Sequence, residues 1–294
     1  MTQEENKLRK FPEPPFTEPR QELPGSEHEM QLKPDHGEQT YKGYQRMTDK
    51  CVLITGGDSG IGKAIAIAFA REGADVVISY LSDVEDEDAK DTAHWVREAG
   101  REALLFKGDI TKEDICKLLV ESTVQKFKKI DVLINNAAYQ MGRETVDEIS
   151  SDEWKLTFDT NVLAMFYMCK YSIPHMPKGG SIINTSSVNA YQPNPTLLPY
   201  AATKSAIQNY TANLNQMLIE QKKDIRVNAV APGPVWTPLI PSTIIDYSDF
   251  GKDTALKRPG QPVEIAPIYV FLASNEASYI GGITLPATGG KIAY

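Results

Sequence analysis

The chain predicts an α/β fold: a doubly wound parallel sheet of about seven strands with helices on both faces. Three observations carry this. Short apolar runs alternate with helix-spaced segments from residue 50 onward. The runs are continuously apolar rather than alternating, which suits strands covered on both faces. The stretches between them are long enough for crossover helices, the connection that parallel strands require.

Each element has its own signal. Cys51–Thr55 is an apolar run that stops at glycines, and Ile61, Ile65 and Phe69 then recur at helical spacing up to Gly73. Val76–Tyr80 is the second strand, and a helix over about 86–99 ends at Gly100. Ala103–Phe106 is a strand. Thr111 to Lys129 reads as a helix with Thr111 as N-cap. Val132–Ile134 follows, and then a long helix capped by Ser151 or Asp152 and running towards Tyr171. Ser181–Asn184 is a strand, about 199–221 a helix with proline in its first turn, and Ile225–Val230 a strand. Pro262 opens a helix ending near Ser274, and Ile283–Leu285 is the last strand.

Residues 1–46 differ. Six prolines fall within the first forty positions, charges are frequent, and the apolar residues lack period. Such a stretch cannot offset its ordering entropy alone. It reads as an extended arm, free or docked through Phe11 and Phe16, before a single domain over 47–294.

Composition narrows the function. The net charge of -8 argues against a nucleic-acid binder. The four histidines are scattered, so no metal site is expected, and Cys51, Cys116 and Cys169 share no short spacing. No apolar run reaches the ~20 residues of a membrane span. A cytoplasmic protein acting on a small molecule is the expectation.

Thr55-Gly-Gly-Asp-Ser-Gly-Ile-Gly62 lies between the first strand and the first helix. A helix N-terminus offers unpaired N–H groups and the positive end of its dipole, and glycines let a diphosphate approach the backbone. A βαβ unit around such a loop marks a Rossmann-type dinucleotide site. The loop lacks the Gly-Lys-Ser/Thr ending of a nucleoside-triphosphate site.

Tyr200 and Lys204 stand at i and i+4 on one helix face. An ammonium ~4 Å from a phenol, at an effective dielectric of ~20, favours phenolate by about 4 kcal/mol, roughly three pKa units. That brings Tyr200 towards the range of a general acid/base. Ser187 follows the strand Ser181–Asn184 at its carboxyl end, the edge where ligands bind in such sheets. It is placed to hydrogen-bond a substrate oxygen.

With these motifs in order, the chain resembles the short-chain dehydrogenases/reductases over about residues 48–290. Gly56, Gly60 and Gly62 match the family's cofactor loop, with Asp58, Ser59 and Ile61 between them. Asp109, followed by Ile110, matches the acid that holds the adenine amino group. Asn135, Asn136, Ala137 and Ala138 resemble the family's Asn-Asn-Ala-Gly segment, with Ala138 in place of glycine. Pro232, Gly233, Val235 and Thr237 match the segment packed against the nicotinamide.

The resemblance implies catalytic roles for Asn161, Ser187, Tyr200 and Lys204. Tyr200 would carry the proton. Lys204 would lower its pKa and bind the nicotinamide ribose. Ser187 would polarise the carbonyl, and Asn161 would hold a relay water or simply distort its helix. Lys33-Pro-Asp-His-Gly37 and Tyr41-Lys-Gly43 resemble a bacterial glucose/ribitol dehydrogenase-like, general stress subgroup.

The resemblance also bears on cofactor choice. Members using NAD often carry an acid at the end of the second strand, here Tyr80, and members using NADP often carry a base at Ser59 or Leu81. Neither is present, and Asp58 would disfavour a 2′-phosphate, so NAD is expected ahead of NADP. Asn189, Gln192, Pro193, Tyr139, Gln140 and Trp236 would line the substrate side, with a mobile segment over about 237–258. A homotetramer through the helices around 151–171 and 199–221 is implied. The alternative from another class is a nucleotide-sensing binding protein without turnover. A sugar-nucleotide epimerase fits the loop spacing less well.

Overall fold

The computed structural model describes residues 11–291. The first ten residues of the arm therefore lie outside the described residues. Seven strands, β1 (Cys51–Thr55), β2 (Asp75–Tyr80), β3 (Ala103–Lys107), β4 (Val132–Asn135), β5 (Gly180–Thr185), β6 (Ile225–Pro232) and β7 (Thr284–Ala287), form one sheet. Their order is β3-β2-β1-β4-β5-β6-β7, and every pairing is parallel. The order reverses between β1 and β4, which opens a crevice at their carboxyl ends.

Side chains on a strand alternate between faces, and both faces here are apolar. Val52 and Ile54 of β1 pack with Ile65 and Phe69 of α1 (Gly60–Arg71), Val96 of α2 (Asp86–Glu98) and Tyr269 of the late helix Pro262–Ala273. Leu53 points the other way, into a cluster with Leu119 of α3 (Glu113–Phe127). Met165 and Met168 of α5 (Ala164–Ser172) and Leu214 of α6 (Leu198–Glu220) complete that layer. Burial of each such side chain contributes about 1.5–3 kcal/mol. A short α7 (Leu239–Thr243) precedes α8 (Pro262–Ala273).

Several helix starts differ from expectation. Thr111 does not cap α3. Its N–H and hydroxyl both bond Asp109 Oδ1, at 2.9 and 2.7 Å, so it belongs to the preceding turn, and Lys112 is the N-cap. The cap of α4 (Ser151–Phe158) is Ser150, whose Oγ accepts the Glu153 N–H at 3.1 Å, rather than Ser151 or Asp152. The run towards Tyr171 is not one α-helix. A π turn over Asp159–Leu163 separates α4 from α5. The last strand is Thr284–Ala287, displaced from the expected 283–285.

Among its described residues the arm carries no helix or strand, yet it docks. Phe16 and Met30 are buried with Trp236 and Ile240. Near the domain, Glu72 is fully buried and accepts from Tyr41 Oη at 2.8 Å, from the Tyr44 and Arg46 N–H groups, and from the Arg46 guanidinium at 2.6 Å. The domain supplies the partners that offset the arm's ordering entropy.

Candidate active site

The sheet's carboxyl edge opens into a cleft of ≈ 1000 Å³. Strand order arranges its walls, from β2 and β3 on one side, across β1 and β4, to β5 and β6 on the other. Tyr80, Asp109 and Ile110 border the first end. Gly56, Asp58, Ser59, Gly60 and Ile61 follow, with Asn136, Ala137 and Ala138 beside them. Ser187, Tyr200 and Lys204 come next, with Pro232, Gly233, Val235 and Thr237 above β6.

The loop is built for close approach. Gly56 has φ +61°, and a Cβ there would lie 3.0 Å from Ala137 Cα. A Cβ on Gly62 would lie 1.8 Å from the Gly56 carbonyl oxygen. Asn136 ties β4 to this loop, donating from Nδ2 to Gly56 O at 2.9 Å and from its N–H to Thr55 Oγ1 at 3.0 Å. Ser59 makes no side-chain cap on α1, and the first turn of α1 holds no acid. The Gly60 N–H is taken by Glu27 Oε2 at 3.1 Å, so a diphosphate would be received by the glycine loop and the remaining N–H groups of this helix start. The residues present therefore fit a nicotinamide dinucleotide.

Helix α6 carries Tyr200 and Lys204. Lys204 is buried, donates to Thr185 O at 2.8 Å, and sits 5.2 Å from the centre of the Tyr200 ring. Ser187, also buried, hydrogen-bonds the Tyr200 phenol, and its Oγ accepts the Asn189 N–H at 3.1 Å. Burial pushes Tyr200 up to about 12, and the Ser187 hydrogen bond opposes this only in part. Burial likewise pulls Lys204 down to about 7.

This corrects the expectation that Lys204 simply lowers Tyr200. The same burial that isolates the pair also removes part of the ammonium charge that would stabilise phenolate.

Asn161 sits in the π turn with its amide committed to protein. Its Oδ1 accepts the Tyr139 N–H at 2.7 Å, and its Nδ2 donates to Tyr139 O at 2.9 Å and Thr203 Oγ1 at 3.0 Å. These bonds bind the β4 exit loop to α6.

Of the substrate-side candidates, Tyr139, Gln140, Asn189, Gln192 and Pro193 line the cleft. Trp236 does not. It is fully buried against the arm, because Phe16 stacks on it at 4.4 Å and its indole N–H donates to Leu32 O at 3.0 Å. The segment expected to be mobile contains α7 and is held by the arm.

Asp58 is also misjudged from sequence. It lines the cleft but is buried there, and burial, with the Glu85 carboxylate nearby, pushes it up to about 8.

Two contributions escape the sequence reading. Glu85 lines the cleft and reaches the end of β2, accepting the Leu81 and Ser82 N–H groups at 3.0 and 2.8 Å. The signal was present: Ser82 and Glu85 form a Ser-x-x-Glu capping box. Leu23, Pro24 and Gly25 of the arm also line the cleft, and nothing in their pattern points there.

A family profile described as enoyl-(acyl carrier protein) reductase matches residues 56–291. General stress protein 39 of Bacillus subtilis is 47% identical over 280 residues, covering 95% of this chain and 96% of that one. The glucose and ribitol dehydrogenase of Daucus carota is 44% identical over 275 residues, covering 92% and 94%. Among solved structures, a short-chain dehydrogenase from Burkholderia cenocepacia J2315 in complex with NADP superposes with a TM-score of 0.77 at 29% identity, covering 83% of this chain and 98% of that one.

Proposed function

The chain belongs to the short-chain dehydrogenase/reductase family and is an oxidoreductase that takes a nicotinamide dinucleotide, and from this premise we propose that it interconverts a small neutral aldehyde, ketone, sugar or polyol with its reduced or oxidised form, with Tyr200 as acid/base. The observation that carries this is the meeting of Ser187, Tyr200 and Lys204 in one cleft beside a loop fit for a diphosphate. When bound, the dinucleotide supplies or accepts the hydride.

In the reductive direction Ser187 holds the substrate oxygen and Tyr200 donates its phenolic proton to it. Lys204 steadies the phenolate that remains, and its hold on Thr185 O fixes where that charge can act. Asn161 keeps α6 and the β4 exit loop in register, and we assign it a place in the proton relay to Lys204. Asp109, Ile110, Tyr80 and Asn136 are assigned to the adenosine half. Such a set of groups has little purpose in a nucleotide sensor without turnover.

The substrate side favours uncharged molecules. Gln140, Asn189 and Gln192 offer hydrogen bonds, while Asp246, Asp249 and Asp253 stand at the same cleft. Lys291 pairs with Asp253 at 2.6 Å and Lys252 with Asp249 at 2.9 Å, which leaves this edge close to neutral and suits an uncharged substrate. The name of the carrot relative, glucose and ribitol dehydrogenase, supports the polyol reading.

The preference for NAD loses its reason with Asp58 buried and pushed towards its neutral form. Burial also raises Glu85. The solved relative described with NADP supports a cleft that accepts NADP(H) as well. Exposed Trp154 and Phe166 on α4 and α5, and Met217 and Ile219 on α6, support a homotetramer. Among the described residues no helix is long and apolar enough to cross a membrane, and three buried free thiols support a cytoplasmic setting.

The test is a panel of aldehydes, ketones, sugars and polyols with NADH and NADPH. The proposal expects turnover of at least one neutral substrate, and loss of about two to four orders of magnitude in kcat for Tyr200→Phe with cofactor binding retained. Near-normal turnover in that variant would sink the mechanism. A hundredfold preference between the two cofactors would settle their order.

A further inference from the structure

We propose that residues 16–32 of the arm are a working part of the cleft: a strap, anchored beside the phosphate loop, that positions the substrate-side segment 236–251. Phe16 and Arg20 are its positioning residues on that segment, and Glu27 is its anchor.

The segment end is held by both rings and backbone. Phe16 stacks on Trp236 at 4.4 Å between centroids, and its N–H donates to Ser248 O at 2.8 Å. Tyr247 Oη donates to Glu18 O at 2.7 Å, and Arg20 donates to the carbonyls of Ile244 and Ile245 at 3.4 and 3.3 Å. The Gln21 N–H bonds Pro241 O at 3.3 Å. Ile240, Ile244 and Phe250 pack with this aromatic cluster and also line the cleft. The wall facing substrate is therefore one residue thick, and the arm is its backing.

The anchor lies at the phosphate loop. Glu27 is buried, accepts the Gly60 N–H at 3.1 Å, and pairs with Lys63 at 2.7 Å and His36 at 2.8 Å. Asp88 accepts the Glu27 and His28 N–H groups at 2.7 and 2.8 Å. Between the two ends, Leu23, Pro24 and Gly25 run along the cleft. A Cβ on Gly25 would fall 2.4 Å from Pro238 O, so strap and segment meet there without a side chain between them. Substrate wall and phosphate loop are thus joined by one piece of chain that belongs to neither.

The proposal rests on the oxidoreductase reading for its kinetic arm alone. The full-length protein with Phe16→Ala should show substrate KM raised about tenfold, kcat within about threefold, and NADPH affinity within about twofold. Chymotrypsin should cut faster at Tyr247 and Phe250, because cleavage follows local opening. Phe16→Trp should restore both readouts. Arg20→Ala, at an exposed site, should move both in the same direction by less, and it serves if Phe16→Ala fails to fold. Glu27→Gln should speed the same cleavages from the far end of the strap. Unchanged KM and cleavage in Phe16→Ala or Arg20→Ala would overturn the proposal. So would a parallel loss of kcat, cofactor affinity and melting temperature, which marks general unfolding. Unchanged cleavage in Glu27→Gln would remove the anchor. If no substrate in the panel turns over, the functional reading fails while proteolysis still decides the strap.

Discussion

A methyl group added at Gly62 would place a carbon 1.8 Å from the Gly56 carbonyl oxygen, where neither the loop nor the helix start can yield without moving backbone. Gly62→Ala is expected to weaken NADPH binding at least about tenfold and to cost about 1–3 kcal/mol of stability, read by fluorescence titration and urea unfolding. Unaltered binding would show that the loop tolerates a wider turn. The glycine loop was legible because its demand is local. Tyr200 and Lys204 were legible in the same way, since a single helix sets their spacing. Their charge states were not, because burial depends on β5 and on Ser187, which meet them only in the folded chain. Trp236 was misplaced for a related reason. An aromatic beside a cleft and an aromatic behind its wall look alike until their neighbours are known.

At the level of elements, the strands were read well because burial on both faces leaves an unbroken apolar signature. Helix starts were read less well, since caps are decided by one hydroxyl and its rotamer. Ser150 carries the N-cap of α4 and takes the Glu153 N–H. Ser150→Ala should therefore lower stability by about 1 kcal/mol in urea unfolding, with kcat unchanged. No change in stability would mean that water replaces the cap without penalty. The π turn after α4 left no periodic mark in the sequence. Its logic is the Asn161 amide, which binds Tyr139 on both sides and so pulls the helix out of register.

Across the whole molecule, the arm is the feature that pattern reading understood least. Lys33-Pro-Asp-His-Gly37 reads as a subgroup mark, yet its residues are the fastening. Lys33 donates to Glu27 O and His28 O, and His36 lies between Glu27 and Glu38 with Lys63 and Asp91 adjoining. Despite the loss of hydration, the facing carboxylates hold His36 above its usual 6.5. Burial also works against the charged forms of Glu27 and Glu38, but His36 and Lys63 bring both down to about 2. The carboxylate contribution is present above 4.5 and is lost as pH falls towards 2. The His36 contribution is full below 6.5 and fades as pH rises through its raised value. The melting-temperature gap between the natural chain and His36→Gln should thus be widest between pH 4.5 and 6.5 and shrink as pH rises above that window. A gap that grows with pH would reverse the assignment. The arm also has a consequence in time. Arg20 and Tyr247 bond partners 224 to 229 positions away along the chain. At about 5–20 residues per second, a ribosome makes the arm some 10 to 45 s before it makes what the arm will hold. During synthesis Phe16 and Met30 wait in the open, and the wall of the substrate pocket is among the last surfaces of this protein to be finished.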